Sequence, residues 1–129
     1  MPITLSIVAV EVGRRLGVGL VGVGMPGHFV VGDGGDSDWF ADPFNERTGL
    51  SRQDCRALYL SMGGSSWNDA MLDPTPDRLI VIRVLNNLRA ACERNGDAVR
   101  LAIVMQLRQQ LSELAAEGER AKWATAILN

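Results

Sequence analysis

His28 and Asp42 are the two residues of this sequence best suited to acid–base chemistry. Histidine is the side chain whose ordinary pKa lies nearest to neutrality, and His28 is the only one in the chain, so base chemistry at neutral pH would depend on it. A carboxylate beside the imidazole would fix its tautomer, as in nucleophilic acyl transfer. Taken alone, a histidine that follows Pro26-Gly27 more often has a structural role.

Neither cysteine offers an evident nucleophile. Ser51 and Asp54 form a near capping box that opens a helix, and Cys55 lies on its apolar face, which predicts a thiol in a core. No base or cationic setting is visible near this thiol, which favours a structural role over a reactive one. Cys55 and Cys92 make neither a CxxC pair nor a disulfide framework, a usage typical of a reducing compartment. We therefore expect a cytoplasmic protein.

Acidic residues raise two metal hypotheses, and neither is favoured. The run from Asp33 to Asp38 resembles part of a calcium loop but lacks the closing glutamate of an EF-hand, so a solvated turn is expected. Glu11, His28 and Asp42 are suitable ligand types for a metal, but no motif supports them. The sequence thus predicts no metal and no other cofactor.

Glycine divides the chain into two parts of different character. Of its 14 glycines, 12 lie in residues 1–64, where short β-type runs alternate with turns. The runs at 18–24, 28–31 and 39–42 predict a small antiparallel sheet of about three strands. A hairpin of the second and third runs would place His28 and Asp42 on adjacent strands.

The first helix is predicted from Pro2 to Leu16, because apolar residues recur there at helical spacing. Pro2 suits the first helical position, and Arg14-Arg15 followed by Gly17 indicate a C-terminus with a left-handed cap. Apolar residues surround most of the helix, so we expect it to be buried on most sides. These residues are Ile3, Leu5, Ile7, Val8, Ala9, Val10, Val12 and Leu16.

The C-terminal part of the sequence is helical. Thr75 is the predicted N-cap of a helix over 77–94, Asn95-Gly96 ends that helix, and Asp97 caps the next one. Because the link between them is short, the two helices must form an antiparallel hairpin.

The expected architecture is α+β: a buried first helix against a small antiparallel β-sheet, followed by a C-terminal helical hairpin module. The predicted organisation is a core over 1–64, a linker over 65–76 and a helical module over 77–129. That module ends in a short third helix over 121–128 that contains Trp123. Its arginines are expected to form a solvated face. They are Arg83, Arg89, Arg100 and Arg108.

Charge and hydropathy argue against nucleic acid and membranes as partners. The net charge is −2, and residues 1–64 hold five basic against seven acidic residues, whereas 65–129 hold eight of each. Neither part has the basic excess of a nucleic-acid binder. No apolar stretch has the length of a membrane span, and the apolar start lacks the preceding basic segment of a signal peptide.

Two segments around the candidate pair resemble the transglutaminase-like superfamily. They are Met25-Pro-Gly-His28-Phe and Trp39-Phe-Ala-Asp42-Pro. The superfamily pattern has a cysteine at a helix N-terminus, a histidine that opens a strand, and Trp-x-x-Asp-Pro on the next strand.

A closer resemblance is to the bacterial SirB family, in which a transglutaminase-like core is followed by tetratricopeptide-like helices. It rests on Pro2-Ile-Thr-Leu-Ser6, Pro26-Gly-His28-Phe, Asp42-Pro-Phe-Asn45 and Leu50-Ser-Arg-Gln-Asp54. The resemblance covers residues 2–62 and extends more loosely over 77–129.

The resemblance implies that His28 is the general base, Asp42 its orienting carboxylate and Trp39 the aromatic residue that precedes it. The nucleophile does not carry over, because Pro2 stands where the superfamily has its cysteine. Thr4 and Ser6 lie within the next turn, but each helical residue is rotated by about 100°, which aims them differently. A groove around the pair would bind through Trp39, Asn45, Glu11, Thr4 and Ser6.

Two functions from different classes follow. The favoured one is a transglutaminase-like protein without cysteine chemistry that binds a protein or peptide, and for which neither cysteine is essential. The alternative is a hydrolase or acyltransferase of amide or peptide bonds, with the His28/Asp42 pair activating Thr4, Ser6 or a water. The family resemblance further implies helical sequence before the segment that matches Pro2–Ser6. Without that cover, the first helix is expected to self-associate or to expose a large apolar face.

Overall fold

The computed structural model describes residues 2–35, 38–112 and 114 of the 129-residue chain. Two compact units divide between Ile80 and Val81. The first unit contains a helix, four strands, a second helix and a short 3₁₀ helix, and the other unit contains most of one helix and all of the next. In chain order the elements are α1 (Pro2–Arg15), β1 (Val21–Val23), β2 (Val30–Gly32), β3 (Phe40–Asp42), β4 (Arg47–Leu50), α2 (Arg52–Ser61), the 3₁₀ helix (Asp69–Leu72), α3 (Asp77–Asn95) and α4 (Ala98–Gln109).

The sheet is an antiparallel meander with strand order β1-β2-β3-β4. Val21 pairs with Gly32, Val31 with Ala41, and Asp42 with Arg47. The α+β architecture is therefore confirmed, with four strands in place of about three. The fourth strand has no apolar alternation to reveal it, because three of its four residues are exposed and only Leu50 is buried.

The main core of the first unit forms where the sheet meets α2 and the 3₁₀ helix. Val23, Val30 and Phe40 from the sheet pack with Cys55 of α2 and Leu72 of the 3₁₀ helix. The predicted capping box that starts α2 is confirmed, because the Ser51 side chain accepts from the Asp54 N–H and the Asp54 side chain accepts from the Ser51 N–H.

Helix α1 packs against β1 and β2 through one face only. Ile3, Ser6 and Gly13 are buried on that face, and Gly17 has the left-handed conformation predicted for the cap, with φ of 74°. The expectation that α1 is buried on most sides is therefore wrong, because only one face of the helix is buried. The exposed apolar face that the sequence predicts as the alternative to self-association is present. We call the residues of this face the α1 stripe; they are 46–74% exposed and comprise Leu5, Val8, Val12 and Leu16.

Thr75 ties the segment before α3 to the sheet. Its N–H donates to the carbonyl of Gly22 and its Oγ1 accepts from the N–H of Gly24, both at 2.8 Å. The predicted N-cap role of Thr75 is therefore wrong, because its hydroxyl accepts from Gly24 in the loop after β1. Helix α3 begins at Asp77, and the carbonyl of Pro76 accepts from the N–H of Leu79 and Ile80.

The second unit has its own small core. Leu85 and Cys92 of α3 pack with Val104 of α4 and with Leu114. Asp97 caps α4 as predicted, since its side chain accepts from the Arg100 N–H. The third helix predicted over 121–128 lies outside the described residues.

The expected solvated arginine face of the second unit is wrong for Arg108. This side chain is only 4% exposed, and its Nη1 donates to Oδ1 of Asn86 on α3. Arg83 and Arg89 are half-buried, and Arg100 is exposed and pairs with Asp97. A helical pattern alone does not reveal which arginine turns inward, because guanidinium groups can be buried when they are hydrogen-bonded.

Candidate functional site

The β2–β3 hairpin brings His28 and Asp42 together. His28 lies just before β2 and Asp42 is the last residue of β3. The His28 Nε2 and the Asp42 Oδ2 are 2.7 Å apart, which is the distance of a charge-assisted hydrogen bond. The expected proximity of His28 and Asp42 is confirmed by this contact, but the prediction that both lie on strands is wrong for His28, which precedes β2.

Asp42 is held by donors from its own turn as well as by His28. The Asn45 Nδ2 donates to Oδ2 at 2.6 Å, and the N–H groups of Phe44 and Asn45 donate to Oδ1 at 3.2 and 3.3 Å. The segment Asp42-Pro-Phe-Asn45 therefore supplies three of the donors that hold the Asp42 carboxylate. We call these donors, together with His28, the Asp42 cradle. Each carboxylate oxygen accepts two hydrogen bonds.

The cradle stabilises the ionised form of Asp42. Burial alone would raise the pKa of this carboxyl group, but hydrogen bonds from the Asn45 and His28 side chains and from the Asn45 N–H lower it below its ordinary value. An ionised carboxylate only accepts hydrogen bonds, so the His28 Nε2 must carry the proton of this contact. In neutral His28 the lone pair is then on Nδ1.

Both members of the pair are buried. His28 is 5% exposed and Asp42 is 0% exposed. A substrate therefore has no direct route to the carboxylate, and only a small part of the imidazole reaches the surface. This burial is what a structural pair requires, whereas a general base must come within hydrogen-bond distance of its substrate.

The two hydroxyl groups proposed as nucleophiles have different surroundings. Ser6 is fully buried and its Oγ donates to the carbonyl of Phe29 at 3.2 Å. Thr4 is exposed on the surface of α1, away from the face that Ser6 buries. Pro2 begins the helix at the position where the resemblance places a cysteine. The buried bond of Ser6 fixes α1 to the sheet next to His28, which is a positioning role.

Cys55 lies in the core, as its place on the apolar face of α2 predicts. Burial raises the pKa of this thiol to about 11, and the nearby carboxylates of Asp54 and Asp42 also raise it. Because the thiolate is the reactive form, Cys55 is not an activated nucleophile at neutral pH.

We expect Cys55 to resist alkylation in the folded protein. Iodoacetamide at pH 7.5 should modify it at least about a hundredfold more slowly than in urea, because both burial and the raised pKa suppress the thiolate. Mass spectrometry of digests follows the modification, and a Cys92→Ala variant isolates the Cys55 signal. Rapid labelling of the native protein would show that Cys55 is reactive and contradict a structural role.

Glu11 belongs to an ion pair on the surface of α1. Its Oε1 accepts from Arg14 at 2.7 Å and from Arg15 at 3.0 Å. These side-chain hydrogen bonds lower the pKa of Glu11 to about 2. A metal centre of Glu11, His28 and Asp42 is therefore a wrong hypothesis: among the described residues, no three histidine, cysteine or acidic side chains lie close enough together to hold a metal ion.

Trp39 and Asn45 have separate roles. Asn45 is predicted as a binding residue, and in the structure its side chain donates to Asp42. Trp39 is partly exposed and lines a cavity with Arg52, and the residues that line this cavity do not include His28 or Asp42. A second cavity is lined by Arg52 and Trp67. Arg52 belongs to the Leu50–Asp54 segment of the resemblance, whereas Trp67 belongs to none of the segments that carry the resemblance. Only tertiary packing brings Arg52 and Trp67 together, so no local sequence pattern indicates this cavity.

The family model that matches this chain is described as the transglutaminase-like superfamily, and the match covers residues 1–86. The chain belongs to the transglutaminase-like superfamily. The match contains the whole sheet, the His28–Asp42 pair and the first half of α3. The two residues of the candidate pair therefore both lie inside the matched range.

The chain is also similar to bacterial proteins of the UPF0162 group. The chain is 38% identical over 95 residues to a UPF0162 protein of Xylella fastidiosa strain Temecula1, and the match covers 69% of this chain and 34% of that protein. It is 36% identical over 98 residues to a UPF0162 protein of Pseudomonas aeruginosa, covering 74% of this chain and 36% of the relative. The chain thus matches about a third of the length of these relatives. No solved structure matches it.

Within the described part of the chain, no helix combines the length and apolar character needed to cross a bilayer.

Proposed function

We propose that this chain is a non-catalytic protein- or peptide-binding module of the transglutaminase-like superfamily, in the SirB branch with tetratricopeptide-like helices after the core. The observation that carries the proposal is the burial of the His28–Asp42 pair. The Asp42 carboxylate has no exposed surface and accepts four hydrogen bonds. A pair arranged in this way stabilises the hairpin and the turn that follows it.

The surroundings of the pair support the same proposal. The superfamily's cysteine is replaced by Pro2, and Ser6 is committed to a buried hydrogen bond with the sheet. Cys55 has a raised pKa and a core position. None of these groups combines access to solvent with activation as a nucleophile.

The helical unit provides apolar surface suited to a partner. Val99, Ile103 and Leu107 of α4 follow one another at intervals of four residues, and each is more than half exposed. An apolar row on a helix is a usual docking surface for another helix or a peptide. We place the protein in the cytoplasm, because its two cysteines are unpaired thiols.

The alternative function is an amide or peptide-bond hydrolase or acyltransferase that uses the His28/Asp42 pair. The geometry that favours it is the short Nε2–Oδ2 contact, which leaves the lone pair of a neutral imidazole on Nδ1. This function would need an opening that exposes the imidazole to a substrate.

A pair of measurements with one variant distinguishes the two functions. His28→Gln keeps a side-chain amide that can donate to Asp42 but cannot act as a base at neutral pH. A peptide library displayed on phage should yield ligands that bind the wild type and His28→Gln with equal affinity, and neither protein should hydrolyse or transamidate glutamine-containing peptides. Turnover by the wild type that His28→Gln abolishes would overturn the non-catalytic proposal.

Self-association through the α1 stripe is part of the proposal. We expect sedimentation equilibrium to show a concentration-dependent dimer, because two such stripes can bury each other's apolar side chains. Replacing Val8 by Glu should shift the dimer dissociation constant upward by at least about tenfold, since it places a charge in the apolar contact. Val81→Glu on α3 is the matched control, because Val81 is 48% exposed and belongs neither to the α1 stripe nor to the apolar row of α4. A wild type that stays monomeric up to millimolar concentration would contradict the expected dimer.

A further inference from the structure

Helix α4 has two separate apolar sides. Leu101 and Val104 lie on the first side and pack with residues of α3 in the core of the second unit. Val99, Ile103 and Leu107 lie on the other side and are 51–74% exposed, and we call these three residues the α4 row. Because each helical residue is rotated by about 100°, the centre of the α4 row lies about a third of a turn around the helix from the packed side. Two apolar sides are typical of a helix that packs between two neighbours.

The chain stays beside α3 and α4 after α4 ends at Gln109. Leu114 lies in the same core as Val104, so the residues that follow α4 lead back to the helical hairpin. Residues 115–129 come next and lie outside the described residues. The connection over 115–120 can span about 20 Å when extended, which is enough to reach either end of the α4 row from Leu114.

The sequence of residues 121–128 matches the α4 row in length and spacing. A helix over these residues would be about 12 Å long, and the distance along α4 from Val99 to Leu107 is also about 12 Å. Trp123 and Ile127 are four residues apart, as are the neighbouring members of the α4 row, so a helix would carry both on one side. Rows of this spacing are the ones that interdigitate when two helices pack.

We propose that residues 121–128 of this chain cover the α4 row, with Trp123 and Ile127 against Ile103, and that a binding partner competes with them for this surface. The inference rests on the proposed binding function and adds its regulation, since the docking surface is open only when the chain's own segment is displaced. The segment of the same chain is favoured over a second copy, because a short connection gives it a high effective concentration at the α4 row.

The test labels the whole chain with 5-fluorotryptophan and records ¹⁹F NMR spectra, in which Trp39, Trp67 and Trp123 give one signal each. Trp123→Phe identifies the signal of Trp123. The solvent isotope shift of this signal between H₂O and D₂O measures the exposure of the indole, and it should be small at every protein concentration. Ile103→Glu should increase the shift at least about threefold, because a charge in the apolar contact separates the two helices.

Met105→Glu is the matched control, because it adds the same charge to α4 at a 37% exposed position outside the α4 row. It should leave the Trp123 signal unchanged. The signals of Trp39 and Trp67 check the first unit of each variant, and circular dichroism checks the helices. Three results would overturn the proposal: a Trp123 shift as large in water as in urea, an equal shift in the wild type and Ile103→Glu, or a shift that grows on dilution. The last result would identify a second copy as the occupant.

A competition measurement tests the regulation. Phage-displayed peptides that lose affinity for Ile103→Glu bind at the α4 row. These peptides should bind Trp123→Ala at least about threefold more tightly than the wild type, because the competing segment is weakened. Equal affinity for Trp123→Ala and the wild type would show that the segment does not compete and would overturn the proposal.

Failure of this contact and failure of the proposed function give different results. Peptides that bind Ile103→Glu and the wild type equally would remove the α4 row as the docking surface and leave the binding function in place. Turnover that depends on His28 would remove the non-catalytic function without changing the Trp123 signal.

Discussion

Asp42→Ala is expected to lower the free energy of unfolding by about 3–5 kcal/mol, the cost of breaking a buried pair by removing one partner. The substitution deprives four donors of their acceptor: the His28 ring, the Asn45 side chain, and the N–H groups of Phe44 and Asn45. Each donor left without a partner in a buried setting costs free energy. Urea unfolding followed by circular dichroism measures the loss.

A double-mutant cycle with His28→Gln separates the pair from the rest of the cradle. We expect the combined variant to lose at least about 1 kcal/mol less than the two single losses added together, because residues in direct contact are coupled. Asp42→Asn is the variant to use if Asp42→Ala does not fold, since its carboxamide oxygen still accepts hydrogen bonds. Asp77→Ala, at an exposed position in the first turn of α3, should cost less than about 1 kcal/mol. An Asp42→Ala loss as small as that of Asp77→Ala would show that the cradle adds little to stability.

The parts of the fold that local chemistry determines were predictable from the sequence. Capping by Asp97 and by Ser51 with Asp54 follows from side chains that reach their own helix N-terminus. The left-handed Gly17 and the meeting of His28 with Asp42 follow in the same way from turn chemistry and a short hairpin.

The parts that tertiary contacts determine were not predictable. Helix α1 is apolar around most of its circumference, so its periodicity does not say which face meets the sheet, and the buried face centres on Ser6. Thr75 looks like a helix cap, but Gly24 offers its hydroxyl a different partner. Trp67 and Arg52 line one cavity although Arg52 begins α2 and Trp67 lies in the loop before the 3₁₀ helix, and neither residue has a local pattern that indicates this.

The candidate site shows the same division at the level of single residues. The resemblance identified Asp42 and Asn45 by sequence, but only the structure shows that both Asn45 and His28 donate to the same carboxylate oxygen. Asn45 therefore acts on the pair through Asp42. A substitution of Asn45 is therefore expected to change the pKa of Asp42.

Asn45→Ala is expected to destabilise the protein by about 1.5–3 kcal/mol at pH 7, the usual contribution of a hydrogen bond to a charged group. The Asn45 side chain is among the groups that lower the pKa of Asp42, so its removal should raise that pKa toward or above the ordinary value. A ¹³C-detected NMR titration of the Asp42 carboxyl carbon measures the shift directly. Gln106→Ala removes an exposed amide from α4 and should change stability by less than about 0.5 kcal/mol.

The sign of the pH dependence follows from the lowered pKa of Asp42. A carboxyl group whose pKa is lower in the folded state contributes stability above its unfolded pKa, and that contribution is lost as the pH falls through the folded pKa. The wild type should therefore lose stability steeply as the pH falls below about 4, where the unfolded carboxyl group takes up its proton first. Asn45→Ala should lose less over the same interval, because its folded and unfolded pKa values lie closer together. Urea unfolding between pH 7 and pH 3 would thus show the cost of Asn45→Ala shrinking with acid, whereas a cost that stays constant across this range would mean that Asn45 does not act through the charge of Asp42.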